Sequence, residues 1–291
     1  MPVPAVELPA VAGVTHRQLD VAGLSVHVAE AGAGDPLVLL HGWPQHWYCW
    51  RHLVPLLADR HRLVMPDLRG HGWSDAPPGP YDKEQLASDL LGLLDALDLD
   101  RVGLIGHDWG GWAGFLACLR APDRFRAFLA LGVVHPFQRP TLARALQAWR
   151  GAYQLALSAP LLARASLQAS PRLVAAGIRA TTTRADALPA DVRLAYGRVF
   201  QEPARARAAV QLYRTFLLRE TPALHRYRAQ RLVVPTRLLV GEDDLIGSAA
   251  WLEGWQGHAD DMAVETVAGA GHFLPEEAPA EVAAAAARLF D

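Results

Sequence analysis

The sequence predicts an α/β protein: a mostly parallel central sheet with an inserted helical cap. Three observations lead there. Short, solidly apolar runs alternate with a helical pattern over residues 1–135. From 136 to 231 no segment has a convincing strand pattern, and short helical segments punctuated by proline take over. Apolar runs then return, and the chain closes on an Ala-rich helical stretch.

Taken in order, "HRQLDVAGLSVHVAEAG" (16–32) reads as two strands joined at Gly23. "PLVLLHG" (36–42), "HRLVMPDLRG" (61–70), "RVGLIGHD" (101–108) and "FRAFLALGVV" (125–134) have the continuous apolar character of strands buried on both faces. Between them, Leu86, Leu90, Leu93, Leu94 and Leu97 carry helical spacing over 83–99. In the insertion, "TLARALQAWRGAYQLAL", "SPRLVAAGIRA" and "EPARARAAVQLYRTFLLRE" read as helices. Strands resume with "PTRLLVGEDD" (235–244) and "MAVETVAGAGH" (262–272), and "APAEVAAAAARLF" closes the chain as a helix with Pro279 near its start. The division is therefore 1–135 and 232–291 as two parts of one core, with 136–231 as the cap.

Composition narrows the function classes. The chain has 291 residues, is 51% hydrophobic and carries a formal charge of −2, which gives no electrostatic case for nucleic acid. The two cysteines, Cys49 and Cys118, stand in no disulfide-scaffold or zinc frame, so no metal is expected. No basic, apolar leader and no charge-free apolar stretch of about 18 residues is present, so the cytoplasm and no membrane partner are expected. A monomer or homodimer is the expected state.

The chemistry concentrates in "LIGHDWGGWAG" (104–114). Asp108 stands between Gly106 and Gly110 where a buried strand meets a helix. A nucleophile elbow has this form: small neighbours let strand and helix approach, and the strained central residue is exposed above the sheet at a helix N-terminus. Taken alone, the aspartate also has a plainer reading as a helix N-cap. Three further motifs shift the balance: "HGWP" (41–44), "GEDD" (241–244) and "GAGHF" (269–273) each follow an expected strand. Together with Asp108 they run in the order nucleophile, acid, histidine.

With these motifs the sequence resembles the α/β-hydrolase family, specifically its epoxide hydrolase branch, over nearly the whole chain. "HGWPQ", "DLRGHGWSD", "GHDWGG", "GEDD" and "GAGHFLPEEAP" carry the resemblance. It implies Asp108 as nucleophile, His272 as base and Asp244 as the acid that orients it, with Asp243 a possible substitute. It implies the main-chain amides of Trp43 and Trp109 as the oxyanion hole. An aspartate at the elbow excludes the serine-dependent branches. It is ionised at its reference pKa of about 3.9, so it attacks an sp³ carbon directly. The histidine is left to activate water in a second step.

An epoxide also needs a proton donor for its departing oxygen, which in that branch is a pair of cap tyrosines. "VQLYRTF" resembles one tyrosine segment and "AYQLAL" the other, giving Tyr213 and Tyr153; Tyr196 reads as structural. Trp109 and His107 are expected beside the substrate, while Trp43, Trp47 and Trp112 fit packing between sheet and cap as readily. His46, His71 and His135 read as structural or pocket-lining, and Asp67, Arg69 and Ser74 as holding loops together. The expected partner is a small-molecule epoxide, with no cofactor.

The alternative is a haloalkane dehalogenase, which shares the Asp nucleophile. Those enzymes usually carry asparagine where this chain has Trp43, and they have no use for paired tyrosines. Fluoroacetate dehalogenases place arginines after the nucleophile, where this chain has Trp109 and Trp112. A non-catalytic ligand-binding member of the fold is less compatible with an intact triad.

Overall fold

The computed structural model describes residues 7–139, 141–245 and 249–291. Eight strands form one sheet: β1 (Thr15–Val21), β2 (Leu24–Ala31), β3 (Asp35–Leu40), β4 (His61–Pro66), β5 (Val102–His107), β6 (Phe125–Leu131), β7 (Thr236–Gly241) and β8 (Met262–Val267). Their spatial order is β1-β2-β4-β3-β5-β6-β7-β8. β2 pairs antiparallel with both β1 and β4, and every other pairing is parallel.

The strands fall where the apolar runs lie, but several end earlier than the runs predict. The residues beyond each strand leave the ladder at its carboxyl edge and serve loops. Asp67, one residue past β4, accepts the Trp47 amide (2.8 Å), the Trp73 amide (2.9 Å) and the His27 ring (2.8 Å). Ser74 donates to the Asp67 carbonyl at 2.7 Å, and Arg69 pairs with Asp89. Helix α1 (Lys83–Ala96) starts on the Asp82 side chain, which accepts the Gln85 amide. It stops short of residue 99 because Asp98 turns to a φ of 52°.

Alternation of side chains sorts the central strands between two cores. Val38, Leu40 and Leu104 face one side of the sheet, where they meet α1 and α2 (Trp109–Arg120). Leu37, Leu39 and Ile105 face the other.

Among its described residues the insertion, 136–231, contains helices and turns but no strand. It comprises α3 (Leu142–Leu146), α4 (Ala152–Leu157), α5 (Leu162–Ala169), α6 (Pro171–Ala180), α7 (Ala190–Val199) and α8 (Pro203–Thr215), with shorter turns between them. The single helix expected over 141–157 is broken by a 3-10 turn, Ala148–Gly151. Pro171 and Pro203 sit at helix starts, where their missing N–H costs nothing. Along α8 the buried positions Ala206, Ala209, Val210 and Tyr213 follow the i, i+3, i+4, i+7 pattern. Three small or short side chains thus bring the helix close and deliver Tyr213 inward. Beyond β8, α9 (Pro279–Phe290) covers the second sheet face through Val282, Ala285 and Ala286.

One residue separates β5 from α2. It is Asp108, with φ 49° and ψ −119°. A turn this tight needs α2 to pass directly over β3. A Cβ on Gly110 would lie 2.3 Å from the Leu40 carbonyl oxygen, which is backbone and cannot swing aside. Gly110→Ala is therefore expected to destabilise the fold by about 1–3 kcal/mol, read from urea unfolding, and to displace the turn enough to depress activity in whatever protein remains folded.

Candidate active site

The carboxyl edge of the sheet brings the separated motifs together. Asp108 from the β5–α2 turn, Asp244 after β7 and His272 after β8 line one cavity of about 430 Å³ with Tyr153 and Tyr213 from the insertion. The other walls include Trp43, Leu157, Leu173, Ile178 and Phe273, so the polar groups converge in an otherwise apolar chamber.

Asp108 is held by main chain. Its own amide donates to the Leu131 carbonyl at 3.1 Å. The Trp43 amide donates to its Oδ2 at 3.0 Å, and the Trp109 amide also hydrogen-bonds the carboxylate. The loop bearing Trp43 approaches this closely because residue 42 is glycine; a Cβ there would sit 2.4 Å from the Asp108 Cβ. Burial pushes the Asp108 carboxyl up to about 6, against the lowering effect of His272 and the two amides.

His272 Nδ1 meets Asp244 Oδ2 at 3.0 Å, which orients the ring and leaves Nε2 outside that pairing. Burial opposes charging of this ring, but Asp244, Asp108 and Glu277 outweigh it and raise the imidazole to about 9. Asp244 is buried at His272 while the Asp243 side chain is exposed, so geometry selects between the two carboxylates.

The two expected tyrosines face each other with ring centroids 6.1 Å apart. Tyr213 is buried and packs edge-on against Trp43 (5.3 Å) and Trp109 (5.4 Å), whereas Tyr153 stands at the rim. Burial first, then nearby negative charge, raises both phenols, so both hold their protons at neutral pH. Tyr196 is elsewhere: it is fully buried and donates to Glu276.

Two expectations are corrected. Neither His107 nor the Trp109 side chain is among the residues lining the cavity. His107 is fully buried and donates from Nε2 to the His272 carbonyl at 2.9 Å, so it steadies the histidine loop from below. The Trp109 indole is covered by Tyr213 and Phe216 (4.8 Å). Trp47 and Trp112 are buried in the two cores; His46 packs on Tyr196 at 4.8 Å, and His135 bonds the Leu252 and Glu253 carbonyls.

Several supporting groups escaped the sequence reading. Glu277 accepts amides from Gly271 (3.1 Å), Phe273 (3.0 Å), Thr183 (2.7 Å) and Arg184 (2.9 Å). One carboxylate thereby brackets His272 and ties its loop to the insertion. The signal was present in "FLPEEAP", but nothing in spacing distinguishes a bracketing glutamate from a surface one. Lys83, the chain's one lysine, is fully buried. Its Nζ donates to the Leu212 carbonyl and to Glu220 Oε1 (3.3 Å) and lies 4.3 Å from the Trp109 ring centroid. Its backbone amide donates to Glu220 Oε2 at 3.1 Å. Glu220 ends the π-helical turn Phe216–Glu220 that follows α8. Lys83 therefore ties the start of α1 to the residue before Tyr213 and to the indole beneath it.

The α/β-hydrolase fold family matches residues 35–279. The soluble epoxide hydrolase of Corynebacterium sp. (strain C12) is 31% identical, across 95% of this chain and 97% of that protein. Epoxide hydrolase 4 of Mus musculus is 29% identical, across 88% of this chain and 74% of its own length. The structure of epoxide hydrolase CorEH without ligand superposes with a TM-score of 0.83 at 31% identity, covering 95% of this chain and 98% of that one. The chain is an enzyme of the α/β-hydrolase fold family, in its epoxide hydrolase branch.

Lys83→Met strands the Glu220 carboxylate in a buried site. The expected loss is about 3–5 kcal/mol, measured by urea unfolding at neutral pH. Adding Glu220→Gln to the same chain should recover part of it, since the uncompensated charge is then gone.

Proposed function

We propose that the protein converts an epoxide and water to a vicinal diol through an ester on Asp108. The observation that carries this reading is one cavity with a held carboxylate on its floor, a His–Asp pair beside it and two neutral tyrosine hydroxyls in its upper wall.

In the resting site Asp108 is ionised and His272 charged. The Trp43 amide occupies Oδ2, so Oδ1 attacks the epoxide carbon and the C–O bond of the ring breaks. The departing alkoxide is a stronger base than a phenolate, so a Tyr153 or Tyr213 proton passes to it. Esterification removes the Asp108 charge, one of the causes that raised His272, and the ring becomes more acidic. Its proton restores the phenol, leaving a neutral imidazole.

Hydrolysis then uses that imidazole. His272 Nε2 takes a proton from water, whose oxygen adds to the ester carbonyl. The oxyanion forms on Oδ2, already facing the Trp43 amide, with the Trp109 amide also at the carboxylate. Collapse expels the diol oxygen, which takes the proton from His272. Asp108, now a carboxylic acid bearing an oxygen from water, passes its proton to His272 and the cycle closes. A halide leaves without a proton, so the tyrosine pair favours the epoxide over the haloalkane reading.

Three outcomes test this. Single turnover in ¹⁸O-water should label the protein before the product; label entering the diol directly would remove the covalent step. His272→Gln should accumulate an adduct of substrate mass on Asp108, seen by intact-mass spectrometry, and Tyr153→Phe/Tyr213→Phe should slow its formation by about 10²–10⁴-fold. Unchanged adduct formation in the double variant, with halide release from bromoalkanes, would instead favour the dehalogenase. The pH profiles of the two steps should differ in rapid-mixing experiments. Ester formation needs ionised Asp108 and should fall as pH drops through about 6. Hydrolysis needs neutral His272 and should rise with pH through an apparent pKa below the resting value of about 9.

A further inference from the structure

The insertion presents an apolar, arginine-bordered face at the cavity mouth. Leu155, Leu161, Leu162, Leu173 and Leu218 are 65%, 82%, 75%, 56% and 61% exposed, and Trp149 is 65% exposed. Single exposed leucines are ordinary, but Leu161, Leu162, Leu173 and Leu218 line neighbouring cavities, and Leu155 and Trp149 lie on the same stretch of the insertion. Leu173 lines the active-site cavity and, with Leu162, an adjoining pocket of about 360 Å³ that also shares Trp43, Ala156 and Leu157 with it. Leu161 and Leu218 line a neighbouring groove of about 610 Å³ together with Arg164, Arg207, Arg214 and Arg219.

The charge around this face is predominantly positive. Residues 124–185 contain no aspartate or glutamate, while arginines recur through them. Arg164, Arg172, Arg214 and Arg219 enter no ion pair among the described residues. The one carboxylate lining the groove, Asp82, is engaged in capping α1. Leucines with a tryptophan, flanked by uncompensated arginines, form the pattern of surfaces that lie in the interface of an anionic bilayer.

We propose that this face docks on an anionic phospholipid surface, with the leucines and Trp149 entering the acyl boundary and the arginine groove receiving lipid phosphates. A second copy fits less well, because two such faces would oppose arginine to arginine with no carboxylate in 124–185 to pair with them. A free anion would use the guanidinium groups but leave the leucines in water. No helix of the described residues is long and apolar enough to cross a membrane, so the contact is one of lying on the surface. The absence of a membrane partner expected from sequence concerned spans and does not bear on such a face. Tyr153 and Leu173 belong both to the exposed face and to the cavity wall. A lipid-dissolved epoxide would therefore enter directly toward Asp108; that consequence rests on the function proposed above, whereas docking itself does not.

The test is cosedimentation of the full chain with sucrose-loaded vesicles of phosphatidylcholine, alone or with one-third phosphatidylglycerol. Partition onto the phosphatidylglycerol vesicles is expected, weakening as salt rises. Leu155→Asp/Leu161→Asp should reduce it by about tenfold or more, and Arg164→Glu/Arg214→Glu should bring it down to the phosphatidylcholine level. Urea unfolding midpoints confirm that the variants fold. The readout needs no turnover, so it fails or succeeds separately from the epoxide chemistry. No partition of the wild type, equal partition onto both vesicle types, or equal partition by the leucine variant would overturn the proposal. So would a dimer, seen by light scattering, that Leu155→Asp/Leu161→Asp dissolves without any vesicle binding by the parent.

Discussion

The site depends on one backbone constraint: Asp108 is a non-glycine residue held at φ 49° in a one-residue turn between β5 and α2. A side chain in that region costs about 1–3 kcal/mol of local strain, and the surroundings leave it no alternative. Its amide is fixed to β6 through Leu131, Gly110 lies against the β3 carbonyls, and Gly42 lets the Trp43 loop close over its carboxylate. The strain aims the carboxylate away from the sheet and places it where two backbone amides converge. Those amides temper the effect of burial on the carboxylate, and in the proposed cycle they would also receive the oxyanion.

Electrostatics in the chamber follow from the same placement. Two buried carboxylates and one imidazole share an apolar cavity, so each group's protonation is set by the others. Asp244 is bonded to Nδ1. In the proposed cycle Asp108 is the anion that chemistry removes. While Asp108 is charged it helps keep His272 protonated; in the proposed cycle its esterification would free His272 to become a base. A serine in the same turn carries no charge to lose and needs its histidine neutral from the start. The choice of nucleophile therefore also fixes the order in which the histidine acts.

The core was legible because its physics is local. Runs such as "PLVLL" and "RVGLIG" announce strands buried on both faces, and motifs immediately after strands fall on the sheet's carboxyl edge by topology alone. That is why Asp108, Asp244 and His272, far apart in sequence, were identifiable as one site. The supporting groups were not legible, since their roles depend on distances between elements. Lys83 and Glu220 belong to different parts of the chain and meet only because α8 runs over the start of α1. Glu277 looks like any helix-start carboxylate until four amides are seen around it. His107 and Trp109 misled for the converse reason: adjacency to the nucleophile in sequence does not give access to the cavity when φ changes sign at the residue between them.

The insertion shows how far periodicity can go. Leu155 and Leu157 are two positions apart on α4, about 200° around the helix; the second lines the cavity and the first is 65% exposed. Pattern alone predicts that one of them is buried, but not whether the apolar side that remains is left in water or given a partner. The structure adds that outward leucines cluster with arginines beside the mouth, while inward residues bring Tyr153 and Tyr213 to the carboxylate. Both faces belong to the same short helices, so a change in how those helices pack would move the two tyrosines and the outer surface together. The Lys83–Glu220 pair resists such movement at Tyr213. Tyr153, on the broken helical stretch at the rim, has no comparable buried ion pair beside it among the described residues, and so the two hydroxyls differ in how firmly the fold positions them.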